Sequence, residues 1–131
     1  MLYRYSGTIP SEISSICSYT LRIVQEIDRH LSMDRSSLQD IRLVISELMI
    51  NACEHGNRNN PDKIVSIDVA ADDEAISISV KDEGSGVNWD GPCFAKNMKA
   101  SGRGLMIVDA LVEELTLNKS EVHCIYKFHH S

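Results

Sequence analysis

Apolar residues return every three or four positions at Ile13, Ile16, Ile23, Val24, Ile27 and Leu31, with Thr20 in the same stripe, and again at Leu38, Ile41, Val44, Ile45, Leu48 and Ala52. Both stretches predict amphipathic helices. Pro10 and Ser11 mark the start of the first, while Asp34 offers an N-cap to the second and Gly56 a stop, so the second runs from Asp34 to about His55. A shorter stripe, Leu105, Val108, Leu111, Val112 and Leu115, predicts a third helix behind Gly102 and Gly104. Elsewhere the period falls to two. Ile76, Ile78 and Val80 alternate with Ser77 and Ser79, so Ala75 to Asp82 reads as a half-buried strand. Ile64 to Ala70 precedes it across a turn around Ala71-Asp72-Asp73. Leu2 to Ile9 supplies an edge strand, and the tail supplies Glu114 to Asn118 and Val122 to Phe128, joined near Lys119-Ser120. About five strands and three helices result. With the helices grouped on one face of a mixed, largely antiparallel sheet, the expected class is an α+β two-layer sandwich.

Composition narrows the setting. A chain of 131 residues, 43% hydrophobic, can bury one core, so a single domain over residues 1–131 is expected. No apolar run reaches membrane-spanning length, and the start MLYRYSGTIP lacks a signal-peptide pattern; a cytoplasmic protein is expected. Cys17, Cys53, Cys93 and Cys124 are scattered without a Cys-x-x-Cys pair, which reads as reduced thiols and not as a zinc site or disulfide framework. His129 and His130 read as a solvated tail. A formal charge of -6 disfavours direct nucleic-acid or acidic-membrane binding, both of which depend on a basic surface.

Three clusters carry candidate chemistry. In the second helix, at roughly 100° per residue, Asp40, Glu47, Asn51, Glu54 and His55 fall on an arc beside the apolar stripe, with Glu47 and Asn51 one turn apart. An amide oxygen at Asn51 can ligate Mg²⁺, and a carboxylate one turn earlier can take a proton from an attacking hydroxyl. In the second cluster Asp82 ends a strand and Gly84 and Gly86 follow, letting the chain turn sharply and a flat ligand approach the backbone; Asp82 can accept a hydrogen bond from an amino group such as that of adenine. The third, Ser101-Gly102-Arg103-Gly104-Leu105, opens the short helix. There the backbone N–H groups of Gly102 to Leu105 can face an anion. Taken singly, each cluster also reads as an ordinary helix boundary or loop.

Their order is more specific than any one of them. The chain resembles the GHKL ATPase superfamily, and within it the small anti-sigma factor serine kinases that regulate bacterial transcription. ELMINACEHG, Glu47 to Gly56, matches the N box; DEGSG, Asp82 to Gly86, the first glycine box; and SGRGL, Ser101 to Leu105, the second. The resemblance implies the Bergerat ATP-binding fold, Asn51 as Mg²⁺ ligand, Glu47 as general base, Asp82 as the adenine reader, and Gly84, Gly86, Gly102 and Gly104 shaping the ATP pocket, with His55 also in the box. Close relatives carry Arg immediately before the Ser-Gly of the second glycine box, where this chain has Ala100; Lys99, Lys96 or Arg103 would then take over the γ-phosphate contact. Val87 to Ala100, with Trp89, Gly91 and Pro92, is long for a connection and reads as an ATP lid or an irregular surface loop.

The implied function is phosphorylation of Ser or Thr on a partner by Mg·ATP. The implied partners are a sigma factor and a competing STAS-type antagonist that carries the acceptor, with the chain itself working as a homodimer. Two alternatives stand beside it: a switch in which ATP tunes partner affinity without transfer, and the ATP-binding domain of a histidine kinase, for which the chain lacks length for a dimerising helical hairpin.

Overall fold

The computed structural model describes residues 3–84, 104–118 and 120–130. Strand β1, Tyr3–Pro10, leads into helix α1, Ile13–Leu31, and helix α2, Arg35–Asn51, which continues as a π-helical turn over Ala52–Gly56. Strands β2, Ile64–Ala71, and β3, Ala75–Lys81, follow; helix α3, Gly104–Leu111, precedes β4, Glu114–Asn118, and β5, Glu121–Lys127. The five described strands lie in the order β1-β2-β3-β5-β4, and every pairing among them is antiparallel.

Strict alternation fixes which side of the sheet meets the helices. Register sets Tyr5, Val69, Ile78, Cys124 and Leu115 in one row across all five strands, and Gly7, Ile67, Val80, Val122 and Leu117 in the next. The central members of both rows are buried in one core with Ile23 and Ile27 of α1, Ile41, Val44, Ile45 and Leu48 of α2, and Leu105 and Val108 of α3. The opposite side is polar: Ser6, Asp68, Ser79, His123 and Thr116 form one row, in which Ser79 Oγ and His123 Nδ1 share a hydrogen bond of 2.7 Å. Burying one face only is the arrangement that antiparallel sheets with alternating sequences adopt.

Helix boundaries follow their caps. Asp34 accepts from the Ser37 N–H at 2.7 Å, as its position before the stripe predicts. Ser32 closes α1 in the left-handed region at φ 50°, its N–H donating to the Asp28 carbonyl. The start of α1 differs from expectation. Pro10 still belongs to β1, paired with Ile64, and Ser11 is buried with its N–H on the Lys63 carbonyl at 3.0 Å, so the helix begins at Ile13, whose side chain is exposed. Likewise α3 stops at Leu111, and Leu115 belongs to β4 instead. The His129-His130 segment is exposed, as a solvated tail should be, yet it is pinned to the fold. The His129 carbonyl accepts from Asp34 N–H at 2.8 Å, its own N–H donates to Ser37 Oγ at 2.9 Å, and His130 bridges to Met33. Cys17 is exposed, while Cys53 and Cys124 are buried, and burial pushes the Cys124 thiol up to about 12.

Asp40 is used by the fold. It accepts from the Tyr126 hydroxyl at 2.6 Å, tying α2 to β5, and desolvation together with this bond raises the phenol pKa to about 12. Replacing the hydroxyl leaves a carboxylate without its donor. Tyr126→Phe is therefore expected to lower the unfolding free energy by about 1.5 kcal/mol, read from denaturant midpoints at constant m; an unchanged midpoint would show the bond to be worth no more than its solvated counterpart.

Candidate functional site

The site forms where the end of α2 meets the end of β3 and the start of α3. At Asn51 the α-helix gives way to the wider π turn, in which the Asn57 N–H reaches back to the Ala52 carbonyl at 2.8 Å. Single π turns within helices are often found at functional sites. This one places the Gly56 Cα directly against the Asp82 carboxylate: a Cβ on Gly56 would overlap the carboxylate itself. Gly84 is constrained by the same packing, because a Cβ there would overlap the Gly56 carbonyl. The close approach that the glycine box permits at Gly84 is thus made to the protein's own backbone.

Asp82 has one oxygen engaged by the Gly84 N–H at 2.8 Å. Desolvation raises its pKa, against the lowering effects of that bond and of Lys63. It lines a pocket with Leu48, Asn51, Ala52, Gly56 and Val80, closed on the other side by Ser120, Glu121 and Val122 of the β4–β5 hairpin. Asn51 and Asp82, 31 positions apart in the numbering, therefore face one cavity. The sequence pattern predicts this hairpin but not its place beside Asp82. The signal for that place was the pairing of Glu121 with Lys81, which brings the hairpin beside Asp82, and the Asp82 N–H donates to the Ser120 carbonyl at 2.8 Å.

Glu47, one turn before Asn51, points the other way along the cleft, toward α3. Its carboxylate lies against Gly104, where a Cβ would overlap one oxygen and oblige the flexible acid to shift. Burial raises the Glu47 pKa and the nearby Glu54 raises it further. Asn51 is buried at 6% exposure, and among the described residues neither its amide nitrogen nor His55 Nε2 has a partner. Buried polar atoms in native proteins are nearly always paired, so these two atoms are left to be satisfied by groups beyond the described residues. Leu105 enters the core with its side chain, leaving only its backbone to face the cleft. Glu47, Asn51, His55, Asp82, Gly84 and Gly104 are thus brought to one end of the sandwich. Gly86, Lys96, Lys99, Ser101, Gly102 and Arg103, like the whole segment Val87 to Ala100, lie outside the described residues.

A family model described as "Histidine kinase-like ATPase domain" matches residues 10–125. The chain belongs to that family. Among proteins similar to this ATPase domain, the anti-sigma F factor of Geobacillus stearothermophilus is 35% identical over 92 residues, covering 66% of this chain and 62% of that protein. The anti-sigma F factor of Geobacillus sp. (strain WCH70) is 30% identical over 119 residues, covering 86% of this chain and 81% of its own. The match to the first relative thus spans a little under two thirds of that protein's length. The histidine kinase domain from the Erythrobacter litoralis EL346 blue-light activated histidine kinase has the same fold, with a TM-score of 0.51 at 18% identity over 86% of this chain and 64% of that one. Among the described residues no helix of the ATPase domain is long and apolar enough to cross a membrane.

The raised Glu47 pKa has a consequence for stability. At pH below the ordinary glutamate value the carboxyl is protonated in the folded and unfolded chains alike. As pH climbs from there through the higher folded-state value, the unfolded chain gives up its proton first, and the fold loses stability over that window. Glu47→Gln removes this loss. The variant without ligand is expected to melt at a higher temperature than the parent at pH 7, the two converging below about pH 4. A lower melting temperature for the variant at pH 7, with the two still converging at low pH, would mean that the carboxylate is stabilised where it sits.

Proposed function

We propose that this chain is an anti-sigma regulatory factor that phosphorylates Ser or Thr of a STAS-type antagonist with Mg·ATP and sequesters a sigma factor when the antagonist is absent or phosphorylated. The carrying observation is the desolvated Glu47 carboxylate lodged against Gly104, one turn before the buried, partly unpaired Asn51 amide. The names of the relatives support the regulatory half of the reading, and the ATPase family supports the nucleotide half.

The site residues fit the proposed ligands. Asn51 presents a buried amide that, with its oxygen turned to the cleft, is a suitable ligand for Mg²⁺, a cation that takes few protein ligands and keeps most of its waters. The ion's contribution when bound is to neutralise charge on the phosphates. Asp82 keeps an acceptor toward the pocket for the adenine amino group, His55 lines the same end, and the backbone at Gly104 and Leu105 opens a helix toward the phosphates. A raised pKa suits Glu47 to accept a proton near neutral pH: it takes the proton of the acceptor hydroxyl as that oxygen bonds to the terminal phosphorus and the bond to ADP breaks. Such a base contributes about 10²- to 10⁴-fold, the remainder coming from positioning and charge stabilisation. The new phosphate, carrying about -1.5 to -2 charges, would drive the antagonist off an acidic chain. Gly86, Ser101 and Gly102 complete the glycine boxes in this proposal, and Lys99, Lys96 or Arg103 takes the place of the arginine missing at position 100. The chain acts as a homodimer, for which light scattering at micromolar concentration is the measurement.

Incubation with Mg·ATP and an antagonist encoded beside this chain is expected to give an acid-stable phosphoester on the antagonist. An acid-labile product would indicate a histidine kinase, and unlabelled protein with ATP-dependent partner affinity would indicate a switch without transfer. Glu47→Ala is expected to keep ATP binding and lose about 10²-fold or more in transfer, while Asn51→Ala loses the Mg²⁺-dependent part of nucleotide affinity as well. Full transfer by Glu47→Ala would remove that residue as the base.

A further inference from the structure

Immediately after the π turn stands a residue that no motif includes. Asn57 is buried to 1% exposure, and its amide makes three hydrogen bonds to three distant parts of the chain. Nδ2 donates to Ser11 Oγ at 2.6 Å, between β1 and α1, and to the Ile64 carbonyl at 2.8 Å, at the start of β2. Oδ1 accepts from the Glu83 N–H at 2.7 Å, one residue beyond Asp82. The orientation of the amide is set by its partners: a carbonyl can only accept and a peptide N–H can only donate, so a flipped amide would lose both bonds. Glu83 adds a second tie, its carboxylate accepting from the Ile64 N–H at 2.6 Å.

We propose that Asn57 is the positioning residue for adenine recognition: by holding the Glu83 N–H it fixes the peptide that follows Asp82 to the end of the π turn, and so aims the Asp82 carboxylate into the pocket. This rests on the reading of Asp82 as the adenine acceptor. Toward the end of α2, Gly56 packs against the Asp82 carboxylate without direction, whereas the Asn57 amide holds the peptide after Asp82 by a directional bond to the Glu83 N–H. Asn57 itself touches the pocket nowhere in its lining; it acts through the loop.

The test is the ratio of ATP to GTP affinity by calorimetry, a quantity that a general loss of stability does not change. Wild-type protein is expected to prefer ATP. Asn57→Ala leaves the Glu83 N–H without its acceptor and is expected to lose about tenfold or more of that preference. Ser11→Ala, which removes another partner of the same amide away from Asp82, is expected to lower the melting temperature and keep the ratio. Asn57→Ser, which shortens the side chain away from Glu83 without burying a charge, is expected to lose the preference as well, and it serves alone should Asn57→Ala not fold. Equal ratios in wild type and in Asn57→Ala or Asn57→Ser would overturn the proposal. A wild type with no preference for ATP would instead defeat the reading of Asp82, so the two failures are distinguishable.

Discussion

Everything at the functional end of this molecule depends on how closely a helix end can approach a strand end. The Gly56 Cα rests on the Asp82 carboxylate and the Gly56 carbonyl on Gly84, leaving no room for a side chain at either glycine. Contact at that range carries Asn51, on the last turn of α2, to the same pocket as Asp82, at the end of β3. A methyl group at Gly56 would push the strand end outward and separate the two. The core behind is ordinary by comparison, with Ile41, Val44, Ile45 and Leu48 fully sunk against Ile78 and Val80, and it supplies the rigid backing that makes the close approach reproducible.

That backing holds two carboxylates in surroundings that disfavour their charge. Glu47 and Asp82 both have raised pKa values with desolvation as the leading cause, and neither has an ion pair among the described residues. Where the fold uses acids structurally it treats them differently. Asp34 and Asp72 accept from backbone N–H groups, which lower their pKa values. Two populations of acids thus coexist in one acidic chain, one satisfied at turns and helix caps and one left short of partners around the cleft. A group retained despite an unfavourable environment is what functional sites commonly show.

The sheet was largely legible in the sequence because its code is local. Alternation at Ile76, Ile78 and Val80 gives the buried side of β3, and the neighbouring strands repeat it in register. The stripes of α1 and α2 are equally plain, and the three glycine and carboxylate clusters drew attention to Glu47, Asn51 and Asp82, which the fold gathers. What escaped was whatever depends on distant partners. Asn57 sits in a stretch reading NRNNPD, the composition of a solvated turn, and its burial is decided by Ser11 and Glu83, 46 and 26 residues away. Asp40 lies on the same helical arc as Glu47, yet Tyr126, far along the chain, claims it for structure. Pro10 looks like the first residue of a helix, and only its pairing with Ile64 keeps it in a strand. Helix periodicity likewise cannot distinguish an α turn from a π turn over Ala52–Gly56, since the difference lies in which carbonyl each N–H finds.

The π turn implies that chain length is itself a functional quantity here. A turn of this kind holds one residue more than an α-helix would need to climb the same height, and it is stable only while tertiary contacts favour it. Removing Cys53 or Glu54 would let the helix relax to α over the same height, and the bulged backbone that sets Gly56 against Asp82 and Asn57 against Glu83 would be lost. Surface loops such as the one around Asp72 absorb insertions and deletions cheaply; this turn does not. Across related sequences, spacing between the helix asparagine and the buried one after the glycine would then be held as tightly as the residues themselves, and a gap placed there in a comparison would signify a differently built pocket.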